Sequence, residues 1–188
     1  MGYCYANALI ALGMLDYPLN GREYCMCTEN EKRLRRCCFT GHRPGKLLAS
    51  EKQIKSALRS AVERAYADGY RTFITGMAQG VDIWAGELVL EFKCSHPDIR
   101  IICALPHPDF EKKWSKEWQH RYNAILSQAD LIKTVCDTFS YGAYQRRNEW
   151  MVNHSARVIA VYNGETGGTR NTIEYAKKQG VSLVMIDG

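Results

Sequence analysis

The sequence lacks the marks of several protein classes. Five prolines and fifteen glycines in 188 residues are too few for a collagenous or low-complexity chain. Its longest apolar stretch, Tyr5 to Leu15, is broken by Asn7, stopped by Asp16 and preceded by no basic residue. That makes it too short to span a bilayer and wrong for an export signal, so no membrane association is expected. Neither Gly-x-x-x-x-Gly-Lys-Ser/Thr nor Gly-x-Gly-x-x-Gly occurs, which argues against a P-loop NTPase and an ordinary dinucleotide dehydrogenase. Without an export signal, the eight cysteines read as mostly free thiols of a reducing, cytoplasmic location. They also lack metal-site spacing: Cys25-x-Cys27 and the adjacent Cys37-Cys38 are poor zinc ligands, because neighbours on a strand point to opposite faces. No metal is expected. Cys94, Cys103 and Cys136 read as small buried apolar residues.

Charge is scarce as a signal too. The net +5 is too mild to mark a nucleic-acid binder. It is uneven, since residues 1–30 carry −2 and the remainder +7. Hydrophobic content of 46% and charged content of 24% are those of an ordinary globular domain. Residues 1–33 are expected to form an N-terminal appendage with one short helical candidate, Ala6 to Leu15, and residues 34–188 a single domain.

What is present from residue 35 onward is an alternation of short β-rich runs with longer amphipathic ones. The six strand candidates are 36–40, 72–75, 99–105, 131–135, 157–162 and 182–186. Between the first two, Ile54, Ala57, Leu58, Ala61, Val62 and Ala65 form one stripe at helical period. Ser50 and Gln53 make a capping-box pair before it, and Gly69 closes it. Further helices are expected over 82–92, 111–128, 144–154 and 169–180. This order implies an α/β fold: a Rossmann-like, doubly wound, mostly parallel sheet with helices on both faces.

In such folds ligands bind beyond the carboxyl ends of the strands. The loops there hold Gly41-His42-Arg43-Pro44, Gly76-Met77-Ala78-Gln79-Gly80-Val81-Asp82, the 106–110 turn, Arg146-Arg147-Asn148 and the 163–169 turn, whereas the opposite turns are simple caps. Gly167-Gly168-Thr169 opens a helix, where backbone N–H groups, the helix dipole and a hydroxyl favour a phosphate; the alternative is a tight turn with Thr169 as cap. Arg147 can clamp an anion, or be a solvated surface arginine. Asp82 can accept from a ribose, or complement the helix dipole. His42 and Arg43 offer an acid/base or anion contact, or a structural one. Trp84, Trp114 and Trp118 can stack on a base, or fill the core.

The pieces Cys37 to Pro44, Thr75 to Ala85, Ala104 to Pro106 with Trp114, Tyr144 to Val152, and Val158 to Thr172 together resemble the SLOG superfamily. This group comprises Rossmann-like proteins related to the LOG phosphoribohydrolases and the DNA-processing protein DprA; the match is to its YpsA-like branch, of bacterial or phage type. The resemblance spans about residues 35–187. It implies a nucleotide or nucleotide-derived ligand, with the phosphate at Gly167-Gly168-Thr169 and Asn171 close by. One departure stands out. LOG enzymes carry Gly-Gly-x-Gly-Thr-x-x-Glu with a catalytic Glu, whereas here the third residue after Thr169 is Thr172, and Glu174 lies two positions further.

Three functions are therefore expected in competition. The first is binding or sensing of a nucleotide-like small molecule, with no certain cofactor. The second is hydrolysis of its N-glycosidic or phosphate bond, with Asp82, His42 or Glu174 as acid/base groups. The third is a DprA-like module for single-stranded DNA, using Lys112, Lys113, Lys116 and Arg121 around the tryptophans. A homo-oligomer is left open.

Overall fold

A computed structural model describes residues 28–188. The helical candidate at 6–15 and the Cys25 and Cys27 positions lie outside the described residues. The chain divides into two units, Met1–Leu34 and Arg35–Gly188. In the first lies a short helix, α1 (Glu29–Leu34), where Thr28 and Glu31 exchange backbone and side-chain hydrogen bonds.

The second unit alternates strand and helix throughout: β1 (Arg36–Gly41), a 3-10 turn (Pro44–Lys46), α2 (Glu51–Ala67), β2 (Thr72–Thr75), α3 (Val81–Ser95), β3 (Arg100–Leu105), α4 (Lys116–Leu126), β4 (Leu131–Thr134), α5 (Ala143–Asn153), β5 (Arg157–Tyr162), α6 (Gly168–Lys178) and β6 (Ser182–Asp187). The six strands form one sheet in the order β4-β3-β2-β1-β5-β6, every pair parallel. The chain walks outward from β1 to β4, then returns to the far side of β1 for β5 and β6. Strand order thus reverses between β1 and β5, which are joined in register from Cys37↔Arg157 to Gly41↔Val161. The crevice above such a reversal is where open α/β sheets hold ligands.

Burial follows the two-residue period of the strands. Cys37 and Phe39 enter the core beneath α2, α3 and α4, while Cys38 enters the opposite core beneath α5 and α6. Parallel strands covered on both faces need such continuous apolar runs. The expected capping box holds, since the Ser50 and Gln53 side chains each accept the other's backbone N–H. Gly69 follows α2 at φ +96, the left-handed conformation that glycine adopts without strain.

Two expectations need correction. The helix expected from 111 begins at Lys116, because Ser115 caps it and accepts from Trp118 N–H. Trp114 therefore lies in the preceding turn rather than on the helix. Cys94 is exposed and Cys136 half-buried, not core residues; only Cys103 of those three is buried. Cys94 sits in the last turn of α3, and the Cys136 sulfur accepts from Arg146 Nε at 3.2 Å.

Candidate functional site

The loops after β1 and β2 interlock because they lack side chains at two points. A Cβ on Gly41 would lie 2.5 Å from the Val81 side chain, and one on Gly80 would lie 2.8 Å from Pro44 Cδ and 2.9 Å from the His42 carbonyl. Gly80 also has φ +93, so glycine is required there on conformational grounds as well. His42 is consequently 4% exposed. Its ring stacks on Tyr162, 5.5 Å away at the end of β5, and its buried Nε2 has no partner. Burial, then nearby Lys46, lowers its pKa, with Glu165 opposing.

The loop after β2 is built around Asp82. Thr75 Oγ1 donates to the Asp82 carbonyl at 2.7 Å and accepts from Met77 N–H at 3.2 Å. Asp82 Oδ2 accepts from Ala78 N–H at 3.3 Å. Met77 is held at φ 61, an unusual conformation for a residue with a side chain. Asp82 Oδ1 is buried without a partner. Burial raises Asp82 to about 6, against the pull of Arg147 and the Ala78 N–H.

Arg147 lies beneath this loop at 3% exposure. Its Nη1 donates to the Gly76 and Ala104 carbonyls, and its Nε donates to Asn148 Oδ1 at 2.8 Å. A Cβ on Gly76 would fall 2.5 Å from that Nη1 and 2.6 Å from Asp82 Oδ2. The guanidinium thus ties the carboxyl ends of β2 and β3 together. Burial lowers its pKa, opposed first by Asp82. Arg147 is therefore not the solvated surface arginine of the alternative reading; its Nη1 serves backbone carbonyls and its Nε the Asn148 side chain.

After β5 the chain makes the glycine turn. Asn163 Nδ2 donates to the Lys46 carbonyl at 2.6 Å and its Oδ1 accepts from Glu165 N–H at 2.9 Å, fixing the turn to the loop after β1. Gly164 at φ +89 and Gly167 at φ +139 supply the left-handed residues. Gly167 is the N-cap of α6, and no side chain caps that helix. Around a Cβ built at Gly167 nothing lies within 4 Å, and around one at Gly168 only Asn148 Nδ2, 3.9 Å away. Thr169 is buried and Asn171 exposed. The result is an open, uncapped helix N-terminus with a side-chain amide beside it, the arrangement that receives anions.

Gly41, His42, Gly76, Met77, Ala78, Gly80, Asp82, Arg147, Asn148, Gly167, Gly168 and Thr169 therefore gather at the carboxyl edge of the sheet, with Arg43 exposed beside His42. Others do not join them. Trp84 is 2% exposed within the core under α3, so its ring offers no face to a base. Trp114 is half-buried, edge-on to Phe110 and Tyr122. Glu174 is exposed on α6 and pairs with Lys177. The residues that sequence reasoning did not single out are Tyr162 and, within the loops it did identify, Asn163 and His107. His107 Nδ1 contacts the Pro108 carbonyl at 2.7 Å and its buried Nε2 has no partner. Its place in the loop after β3 was the one available signal. Among the described residues no three His, Cys, Asp or Glu side chains come together as metal ligands, and no helix is long and apolar enough to cross a membrane.

This geometry has relatives. A family model described as the YspA SLOG family matches residues 37–186. The uncharacterized SPbeta prophage-derived protein YoqJ of Bacillus subtilis (strain 168) is 36% identical over 140 residues, 67% of this chain and 81% of its own. The solved structure of DNA processing protein A (DprA) from Streptococcus pneumoniae aligns with a TM-score of 0.59 at 16% identity, over 82% of this chain and 51% of its own. The chain thus spans about half the length of that protein. DprA from Helicobacter pylori, described for its single-stranded DNA binding mode, aligns with a TM-score of 0.60 at 18% identity, over 95% of this chain and 77% of its own. At these identities the structural likeness is one of fold.

Proposed function

The chain belongs to the YspA SLOG family, and from that premise we propose that it binds a nucleotide or nucleotide-derived small molecule across the carboxyl ends of β1, β2 and β5. The observation that carries this reading is the uncapped start of α6, with open space at Gly167 and the Asn148 amide beside Gly168. A phosphate there takes the N–H groups of Gly168 and Thr169 and the positive end of the helix dipole. The ribose faces the loops after β1 and β2, where His42 Nε2 and Asp82 Oδ1 are buried without a hydrogen-bond partner; buried polar atoms are seldom left so.

Isothermal titration of the purified chain with AMP, ADP and ADP-ribose tests the reading. Binding that is lost in Gly168→Asp is expected, and a panel without heat of binding would overturn it. One observation favours a second, catalytic reading of the same site: Asp82, raised to about 6, would exchange protons near neutral pH as an acid/base group must. Chromatography after long incubation separates the two, since a binder returns the nucleotide intact.

The DNA-binding description belongs to the H. pylori protein, and this chain's residues give it little support. Lys112 pairs with Asp109, and Arg121 pairs with Glu51 and Glu87 while covering the Trp118 ring. Two of the four basic residues around the tryptophans, Lys112 and Arg121, are thereby paired with carboxylates.

A further inference from the structure

Beside the glycine turn, between the 3-10 turn and the carboxyl ends of β5 and β6, lies a groove of about 370 Å³. Its lining includes Leu48, Tyr162, Asn163, Gly164, Met185 and Asp187. Small-molecule sites are typically about 300–1,000 Å³, mostly apolar, with a few polar groups that fix orientation. This groove has that make-up. Leu48 is 90% exposed and Met185 51%, two large apolar side chains at one opening, while Tyr162 lines it and is backed by the stacked His42 ring. Asp187 adds a carboxylate at the end of β6.

We propose that this groove is the base subsite of the ligand, and that the base is one whose edge carries N–H donors. The proposal rests on the reading of the glycine turn as the phosphate site and extends it. Three features support it. Asn163 and Gly164 belong to both the groove and the turn, so the two sites are neighbours along one stretch of chain. Leu48, Tyr162 and Met185 supply apolar and aromatic surface for a flat ring, which stacking on such side chains holds without regard to sequence. The Asp187 carboxylate only accepts hydrogen bonds, and so favours a base edge carrying N–H donors, such as the exocyclic amine of adenine or cytosine or the N1–H and N2–H groups of guanine. Neither Trp84 nor Trp114 is needed for stacking, which accords with their packing.

The test compares AMP and GMP with ribose 5-phosphate, which keeps the phosphate and lacks the base, by isothermal titration of the full chain. The wild type is expected to bind at least one purine nucleotide roughly tenfold or more tightly than ribose 5-phosphate. Leu48→Asp should remove that advantage and leave ribose 5-phosphate binding unchanged; Asp187→Asn should reduce it severalfold. Leu48 and Asp187 are both exposed, so the fold tolerates these changes, and circular dichroism verifies it. Equal binding of all three compounds by the wild type, or variants that keep wild-type nucleotide affinity, would overturn the base subsite alone. Variants that lose nucleotide and ribose 5-phosphate alike would also overturn it. A wild type that binds none of them would overturn the phosphate reading as well.

Discussion

Replacing Gly168 by aspartate separates the stability of this fold from its proposed function, because the two should move in opposite directions. Gly168 is the first residue of α6, and a Cβ there meets only Asn148 Nδ2, at an ordinary contact distance of 3.9 Å. No clash opposes the change. Removing a glycine from a helix contributes about 0.5–1 kcal/mol, and a carboxylate in the first turn about 0.3–1 kcal/mol through the helix dipole. The variant should therefore be more stable by about 1–2 kcal/mol, raising Tm by roughly 3–6 °C. For a bound phosphate the same carboxylate is a like charge about 4 Å away. Between the limits of a surface site and open water, that repulsion is about 1–4 kcal/mol, a loss of roughly fivefold to a thousandfold in affinity. Gly168→Asn, of the same shape and without the charge, should keep most of the binding. Differential scanning fluorimetry gives the stability and titration calorimetry the affinity. A Gly168→Asp protein that is stabilised yet binds nucleotide as the wild type does would refute the assignment of the phosphate to α6.

Other consequences concern the loop after β2. Gly76→Ala places a methyl 2.5 Å from Arg147 Nη1 and 2.6 Å from Asp82 Oδ2, and should cost about 1–3 kcal/mol in urea unfolding; a loss under about 0.5 kcal/mol would show that Arg147 does not hold this loop. Met77 is fully buried at φ 61, so Met77→Gly should be more stable than Met77→Ala by about 1 kcal/mol, since glycine alone relieves the backbone; the reverse order would contradict the strain. Burial raises Asp82 from 3.8 to about 6, so the folded protein holds this proton more tightly than the unfolded chain. Its contribution to stability is full below about pH 4 and is lost as pH rises through about 6, on the order of 3 kcal/mol in all. In Asp82→Asn that fall between pH 4 and 6 should vanish, and a slope like the wild type's would show that another group carries it.

The architecture was readable because its signals are local. Strand runs bounded by turns, one helical stripe from Ile54 to Ala65 and the Ser50–Gln53 pair each need only a few neighbouring residues. The start of α4 was misplaced because the aromatic stripe through Trp114 and Trp118 continues across Ser115, and periodicity cannot see a cap that interrupts it. The loops at the carboxyl ends were identifiable by their glycines, but the division of labour within them was not. Arg146 and Arg147 are adjacent and look alike in sequence; Arg147 goes inward only because Gly76, 71 positions earlier, leaves room for its guanidinium. The groove is harder still, since Leu48 follows the 3-10 turn while Tyr162 and Asp187 end β5 and β6 and come side by side only when those strands pair.

The most direct test is to follow backbone amide resonances by NMR while AMP or GMP is added to the full chain. The account predicts that the Gly168 and Thr169 amides, with those of Gly164 and Gly167 in the same turn, shift first and furthest, and that resonances of α4 stay in place. Saturable shifts confined to α4 and the 106–114 turn, with the glycine turn unmoved, would contradict it.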